Sequence, residues 1–511
     1  METYMPSIPL LTIMLALCLA SAIAAYTRRR KPPYPPGPRG HPYIGLASPP
    51  FKKAWLTYIE WGKKYGDLIH FTRFGQHYLI LNSIEAADAI LQKNARFTSD
   101  RPTSSPLDQI SGWGRLLGIS VDLAHHRLIL SYKMLPVMSR YTEEWRTDRK
   151  MFHQNFRPEV GAQFHPSQIQ GIRKFISELT TSKMPLMDQI ATLAHRVIFS
   201  AVYGLDITTN KDDMAKNGRD VVEMTETPLI PGWDAFKYVP LLHLLPTWFP
   251  GGHFRASHKK LRGIFDEVFE RPWSLMMDAM KSGASHSSLL PNLISELKLD
   301  ESNESLARLK DMGGQAVVAG ADTTMSTIAI FFLAMSLYPD VQIRAQKELD
   351  VVLGPGKLPT YDDRSSLPYV EAVFREVMRW HPVIPMGIPH VTSEEIYHDK
   401  YYIPKGTIIF PNIWAMTHDP NTMESPDKFI PERHLRKGEK FDSINTVLAY
   451  GFGRRICAGR WMANDVIWLA IASVLATVKI SSIPNNHVED YFSDGAFCIP
   501  RGLDCSVYPR F

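Results

Sequence analysis

Cysteine is scarce in this chain, whose 511 residues hold only Cys18, Cys457, Cys498 and Cys505. That is too few for a disulfide scaffold and points to a body kept in a reducing compartment. Cys498 and Cys505 read as two reduced residues of a terminal hairpin. Cys and His do not cluster at short spacing, so a zinc site is excluded. Long blocks of Lys or Arg are missing apart from Arg28 to Lys31, and the net charge of +5 is spread out, which excludes nucleic acid as the expected partner. Internal repeats, low-complexity tracts and a flavin or nicotinamide fingerprint are also missing. What is present is an ordinary globular composition, 45% hydrophobic and 21% charged, enough to bury a sizeable core.

From Met5 to Tyr26 no side chain is charged. About 20 residues at ~1.5 Å rise cross roughly 30 Å of hydrocarbon, so this run can span a bilayer once. Glu2 precedes it and the basic cluster follows it, which argues against a cleaved signal peptide and leaves the amino terminus luminal and the body cytosolic. Pro32 to Pro38 favours polyproline geometry and serves as a semi-rigid spacer. The expected organisation is an anchor with its basic stop (1–31), a proline-rich hinge (32–40) and one catalytic domain (41–511). Pro240 to Pro250 is a second apolar stretch, equally suited to a membrane interface or to core packing.

Alternation around Ile69 to Phe71 and Tyr78 to Leu81 predicts strands, followed by a helical pattern from Ile84 to Gln92. Beyond Trp145 the chain reads as mostly helical. The longest helical pattern, Ser305 to Leu337, stops at Tyr338-Pro339. Short strands return near Tyr401 to Ile403 and Thr407 to Phe410, and Phe492 to Tyr508 reads as a hairpin turning near Pro500 to Gly502.

The segment Tyr450 to Gly459 sets Cys457 in a loop with Gly453, Arg454, Arg455 and Gly459, directly before a helical run from Trp461 to Val474. Glycines let backbone N–H groups approach the sulfur, the helix amino terminus favours negative charge, and the arginines can pair with anionic groups. This suits a metal-bound thiolate.

Here the sequence resembles the cytochrome P-450 family, whose pattern F-x-x-G-x-R-x-C-x-G is met at Gly453, Arg455, Cys457 and Gly459, with Tyr450 in the first aromatic position. Glu376 to Arg379 matches its E-x-x-R motif and Arg433 its second arginine motif. Trp145 to Arg149 matches W-x-x-x-R, and Ala319 to Thr324 matches A-G-x-D-T-T. The resemblance implies a mainly α fold with a smaller β region, preceded by the amino-terminal transmembrane helix. It implies haem b, iron protoporphyrin IX, with Cys457 on the iron. Trp145, Arg149, His390, Arg455, Gly453 and Gly459 are then the residues that bind the cofactor.

On the opposite side Gly320 is expected to clear room for dioxygen, and Asp322 to feed protons through Thr323, whose hydroxyl can open the helix. The implied activity is a monooxygenase that inserts one oxygen atom into an apolar small molecule, of secondary-metabolite or xenobiotic type. Electrons would come from a separate NADPH-dependent flavoprotein reductase, with a cytochrome b-type donor as a further source. Arg146, Lys150, Arg436, Lys437 and Arg460 are candidates for its dock. Phe497 and Val383 to Met386 are the expected pocket lining. The implied location is the endoplasmic reticulum membrane, with lipid around the anchor. A peroxide-rearranging enzyme would not need the Asp322-Thr323 pair, and a haem sensor would leave it unexplained. One departure stands out: between Pro102 and Trp145 the chain exceeds the family pattern by roughly 18 residues, around Gly114 to Lys133, as a lid elaboration or a translated intron.

Overall fold

The computed structural model describes residues 31–50, 52–102, 140–208, 212–225, 253–283, 288–298, 304–435, 441–443, 447–481, 491–501, 503 and 505–511. The expected anchor run, the Gly114 to Lys133 excess, the Pro240 to Pro250 stretch, Arg436 and Lys437 lie outside them.

In chain order the main elements are helix α1 (Ala54–Tyr65), strands β1 (Leu68–Arg73) and β2 (Gln76–Leu81), then helices α2 (Glu143–Phe156), α3 (His165–Leu179), α4 (Leu186–Tyr203), α5 (Asp213–Thr225), α6 (His253–Lys281) and α7 (Glu304–Leu337). There follow α8 (Pro339–Val352) and α9 (Pro368–Trp380), strands β3 (His390–Val391), β4 (Ile396–His398), β5 (Tyr401–Ile403) and β6 (Ile408–Pro411), helix α10 (Arg460–Thr477), and strands β7 (Val478–Ile480) and β8 (Val507–Pro509). The mainly α architecture with small sheets agrees with the expectation.

Local chemistry explains the boundaries. Thr142 caps α2 by accepting from the Trp145 N–H at 3.2 Å, with Glu143 and Glu144 complementing the helix dipole. Gly204 ends α4 in the left-handed region at φ 71°. Pro339 and Pro368 stand in the first turns of α8 and α9, where a missing N–H costs nothing.

The largest sheet has the order β1-β2-β6-β3, with β2 and β6 parallel and the other pairs antiparallel. Its β2–β6 pairing brings residues near 80 beside residues near 410. The core is centred on α7, where Ile328 to Met335 are all buried, packed with α4, α9 and α10. Among the described residues Ser305–Leu337 is the one helix long and apolar enough to cross a membrane, but 83% of its apolar window is buried inside the protein, so it is the core helix.

Two further segments are placed by backbone contacts. The proline-rich hinge is docked: the Pro36 carbonyl accepts from His70 N–H, Pro33 from Tyr402 N–H, both at 2.9 Å, and Lys31 pairs with Glu395 at 2.5 Å. The carboxy-terminal segment is not one hairpin. Phe492 bridges to Pro500, while β8 crosses to pair with β7, whose Ile480 backbone is also held by the Gln342 side chain of α8. Cys498 and Cys505 are both buried.

Candidate active site

A cavity of about 350 Å³ lies between α7 and the amino terminus of α10. Cys457, Gly320, Thr323, Trp145, Arg149, His390, Arg455 and Gly459 all line it, although they come from positions over 300 residues apart in sequence.

The cysteine loop is shaped by its glycines. Gly451 and Gly453 have φ of 80° and 57°, and a Cβ on Gly453 would lie 2.4 Å from the Leu91 carbonyl oxygen. Only glycine fits there. Cys457 N–H donates to the Tyr450 carbonyl at 2.8 Å, and its side chain opens onto the cavity rather than onto bulk water. Burial raises the thiol pKa, while Arg149, the N–H groups of Gly459 and Arg460, and the Arg460 guanidinium oppose that rise. Bringing a cation to the sulfur would reinforce the opposing side and favour thiolate.

Positive charge gathers at one rim. Arg455 lies over the Trp145 ring at 4.0 Å and donates to the Ser99 carbonyl at 2.7 Å, while Arg149 donates to the Ile456 carbonyl. Arg101, which no sequence motif singled out, donates to the carbonyls of Ile388 and Pro389. Burial, reinforced by repulsion among these guanidiniums and only partly offset by Asp100, lowers Arg101 to about 9 and Arg455 to about 8. Asp100 itself is engaged by Arg140 at 3.0 Å. Arg101, Arg149 and Arg455 thus bring three guanidiniums to the lining of the cavity, a setting that favours an anion. The two propionates of a haem would suit that rim, the thiol could hold its iron, and the apolar walls suit the macrocycle, so the residues fit the group.

His390 is a more conditional member. Its Nδ1 lies 2.8 Å from the Thr98 carbonyl and must donate to it, so a neutral ring offers the cavity only an acceptor. Burial and the nearby Arg101 hold its pKa well below 6.5. It can therefore donate to a carboxylate only after that anion has drawn a proton onto the ring.

Opposite the sulfur, α7 stays continuous through Gly320 to Thr324. Thr323 Oγ1 donates back to the Ala319 carbonyl at 2.7 Å. Asp322 does not line the cavity and is not hydrogen-bonded to Thr323; it points into the protein, is 4% exposed, and has no partner for Oδ1 among the described residues. Burial raises its carboxyl to about 7, with Arg219 on α5 only partly opposing. A Cβ on Gly320 would meet Ile198 at 3.2 Å, so the space saved there is toward α4, whose Ile198 also lines the cavity.

The model of the family described as Cytochrome P-450 matches residues 35–504. The chain belongs to the cytochrome P-450 family. It is 34% identical to cytochrome P-450 monooxygenase COX1 of Coprinopsis cinerea, over 92% of this chain and 91% of that one. It is 36% identical to cytochrome P-450 monooxygenase ple1 of Rhodocybe pseudopiperita, over 99% and 94%, and 32% identical to cytochrome P-450 monooxygenase 208 of Postia placenta, over 97% and 94%. This chain is accordingly a haem-iron monooxygenase, an oxidoreductase that incorporates oxygen.

Behind the cysteine loop of this cytochrome P-450, Glu376 on α9 is fully buried and caged. Arg379 holds it through two 2.8 Å bonds, Arg433 at 3.0 Å, His434 at 2.9 Å, and the Ile430 N–H at 2.8 Å. Burial alone would raise this carboxyl, but the bonds from His434 and Arg379 outweigh it and bring it down to about 2. His434 escaped the sequence reading because the motif ends at Arg433. Of the expected pocket lining, Phe497, Val383 and Ile384 reach the cavity, whereas Met386 packs with Trp55 and Phe410 in a separate cluster. Arg460 is no docking residue: it is buried, with its guanidinium turned back onto the Cys457 carbonyl at 2.7 Å.

Proposed function

We propose that Cys457 holds the iron of haem b as thiolate, and that Arg101, Arg149, Arg455 and Trp145, with His390 once protonated, hold its propionates. The observation that carries this is the cavity itself, which the Cys457 thiol, Trp145 and the side chains of Arg101, Arg149 and Arg455 line together with apolar walls. When bound, the haem supplies reductive activation of dioxygen, with the thiolate donating electron density.

The chain's own residues then hold and move protons. Asp322, near half-protonated at neutral pH, can act as a proton reservoir in α7. A water between Asp322 and Thr323 would bridge the gap, and the Thr323 hydroxyl presents the proton at the cavity wall. Val383, Ile384 and Phe497 exclude bulk water and admit an apolar small molecule of secondary-metabolite or xenobiotic type. Electrons are supplied by a separate NADPH-dependent flavoprotein reductase, with a cytochrome b-type donor as a second source. Arg146 and Lys150 on α2 are exposed near the cysteine loop and suit an acidic partner.

The reading also places residues 1–31 as a single membrane anchor, 32–40 as hinge and 41–511 as a cytosolic catalytic domain at the endoplasmic reticulum. Support is the uncharged run, the basic residues after it, and the docking of the hinge onto β1 and β5. The test is reconstitution of the full chain with a microsomal flavoprotein reductase, NADPH, isotopically labelled dioxygen and a panel of apolar compounds. One labelled atom in product supports the reading. NADPH-independent turnover, or no label in any product, overturns it.

A further inference from the structure

Gly313 and Gly314 lie on α7 two turns before Ala321, and their missing side chains face different neighbours. A Cβ on Gly313 would lie 2.5 Å from the Tyr203 hydroxyl and 2.7 Å from Leu290, in the main core. A Cβ on Gly314 would lie 2.4 Å from Cδ1 of Phe269 on α6. The helical repeat carries the division forward: Val317 continues the Gly313 face into the main core, and Val318 continues the Gly314 face.

Phe269 does not belong to the main core. It packs with Val221, Val268, Val318 and Phe497 in a separate cluster, joined by Val383 and Ile384. Val318, Phe497, Val383 and Ile384 line the cavity, but Phe269 and Gly314 do not. The ring thus stands behind the cavity wall, 1% exposed, sunk into the notch that Gly314 leaves. The helices around it are pinned. Glu270 meets Lys310 at 2.9 Å across α6 and α7, and Arg271 meets Asp213 at 3.3 Å across α6 and α5.

We propose that Gly314 and Phe269 form a specificity-determining pair, in which the depth of the ring in the glycine notch sets how far Val318 and Phe497 reach into the cavity and so limits the length of substrate accepted. This rests on the reading of the cavity as haem and substrate site. A methyl at position 314 occupies the ring's place. With α6 held to both neighbours, the ring slides along α7 toward Val318 and Phe497, and the cavity shortens. Trimming the ring lets the same wall retreat.

The test uses full-length holoenzyme and a series of 1-alkylimidazoles of growing chain length, followed by the shift of the haem absorption band on binding. In the native enzyme affinity rises with tail length and then stops. Gly314→Ala moves that stop to shorter tails and weakens the longest by about tenfold, the effect of losing burial of roughly two methylenes. Phe269→Leu moves it to longer tails, and Gly314→Ala with Phe269→Leu returns it near the native value. Gly313→Ala, an equal insult on the main-core face, lowers the melting temperature and leaves the stop in place. Equal displacement by Gly313→Ala and Gly314→Ala, or a double variant whose stop stays at the Gly314→Ala value, overturns the pair as a specificity device. Failure of every imidazole to shift the native haem band overturns instead the reading of the cavity on which it rests.

Discussion

Asp322→Asn separates a proton-holding carboxyl from a structural polar residue, because its effect on stability depends on pH in a way the structure dictates. Burial raises the folded-state pKa from 3.8 to about 7. The folded chain therefore binds more protons at this site than the unfolded chain between those values, so wild-type stability falls as pH rises through that window and levels off above it. A shift of about 3 pKa units is worth ~4 kcal/mol at most. Between pH ~5.5 and ~8 the loss amounts to roughly 2 kcal/mol. With unfolding entropy near ~2 cal/mol/K per residue over the whole chain, that is a shift of about 2 °C in melting temperature.

Asparagine has no such titration. Melting curves of the two holoenzymes across this range should diverge, with Asp322→Asn gaining about 2 °C relative to wild type toward high pH. Its turnover should be slow throughout, whereas wild-type turnover should decline as pH passes about 7. A difference in melting temperature independent of pH would refute the buried protonated carboxyl, and wild-type turnover in Asp322→Asn would remove it from proton delivery.

Thr323→Ala removes the hydroxyl now bonded to Ala319 but touches neither the sulfur nor the cationic rim. Haem binding should persist while product per NADPH falls and hydrogen peroxide rises, up to the ~10²–10⁴-fold range of general-acid contributions; unchanged coupling would exclude it. Glu376→Gln breaks a cage that holds its carboxylate near pKa 2, so stability fully present above pH 4.5 and lost as pH falls toward 2 should disappear. The cost is about 3–5 kcal/mol, read by denaturant unfolding, and a loss below ~1 kcal/mol would mean the cage is dispensable. Tyr450→Phe deletes a buried hydroxyl with no partner among the described residues and should stabilise by about 1 kcal/mol, whereas destabilisation would reveal a bond for that hydroxyl.

Much of this was legible because short-range chemistry wrote it. Gly453 and Gly459 around Cys457, the spacing of Glu376 and Arg379, and the four-residue step from Trp145 to Arg149 are constraints within one loop or one helix turn. The cationic rim is a different matter. Arg101 stands in Phe97-Thr98-Ser99-Asp100-Arg101-Pro102 with no spacing to mark it, and becomes a site residue only when β6 and β3 carry Ile388 and Pro389 to it. Arg460 failed in the opposite sense. A charged residue after Cys457 reads as surface, but the first turn of α10 folds it back over the cysteine carbonyl. Asp322 was found by motif, yet that it points away from the cavity depends on where α5 packs.

The central claim, that Cys457 alone holds the haem iron, is tested most directly by the carbon monoxide difference spectrum of the reduced full-length protein and its cysteine variants. The native protein, Cys498→Ser and Cys505→Ser should all give the red-shifted band of thiolate ligation, and Cys457→Ser should lose it. Retention of that band in Cys457→Ser, or its loss in either of the other two with haem still bound, would contradict the account.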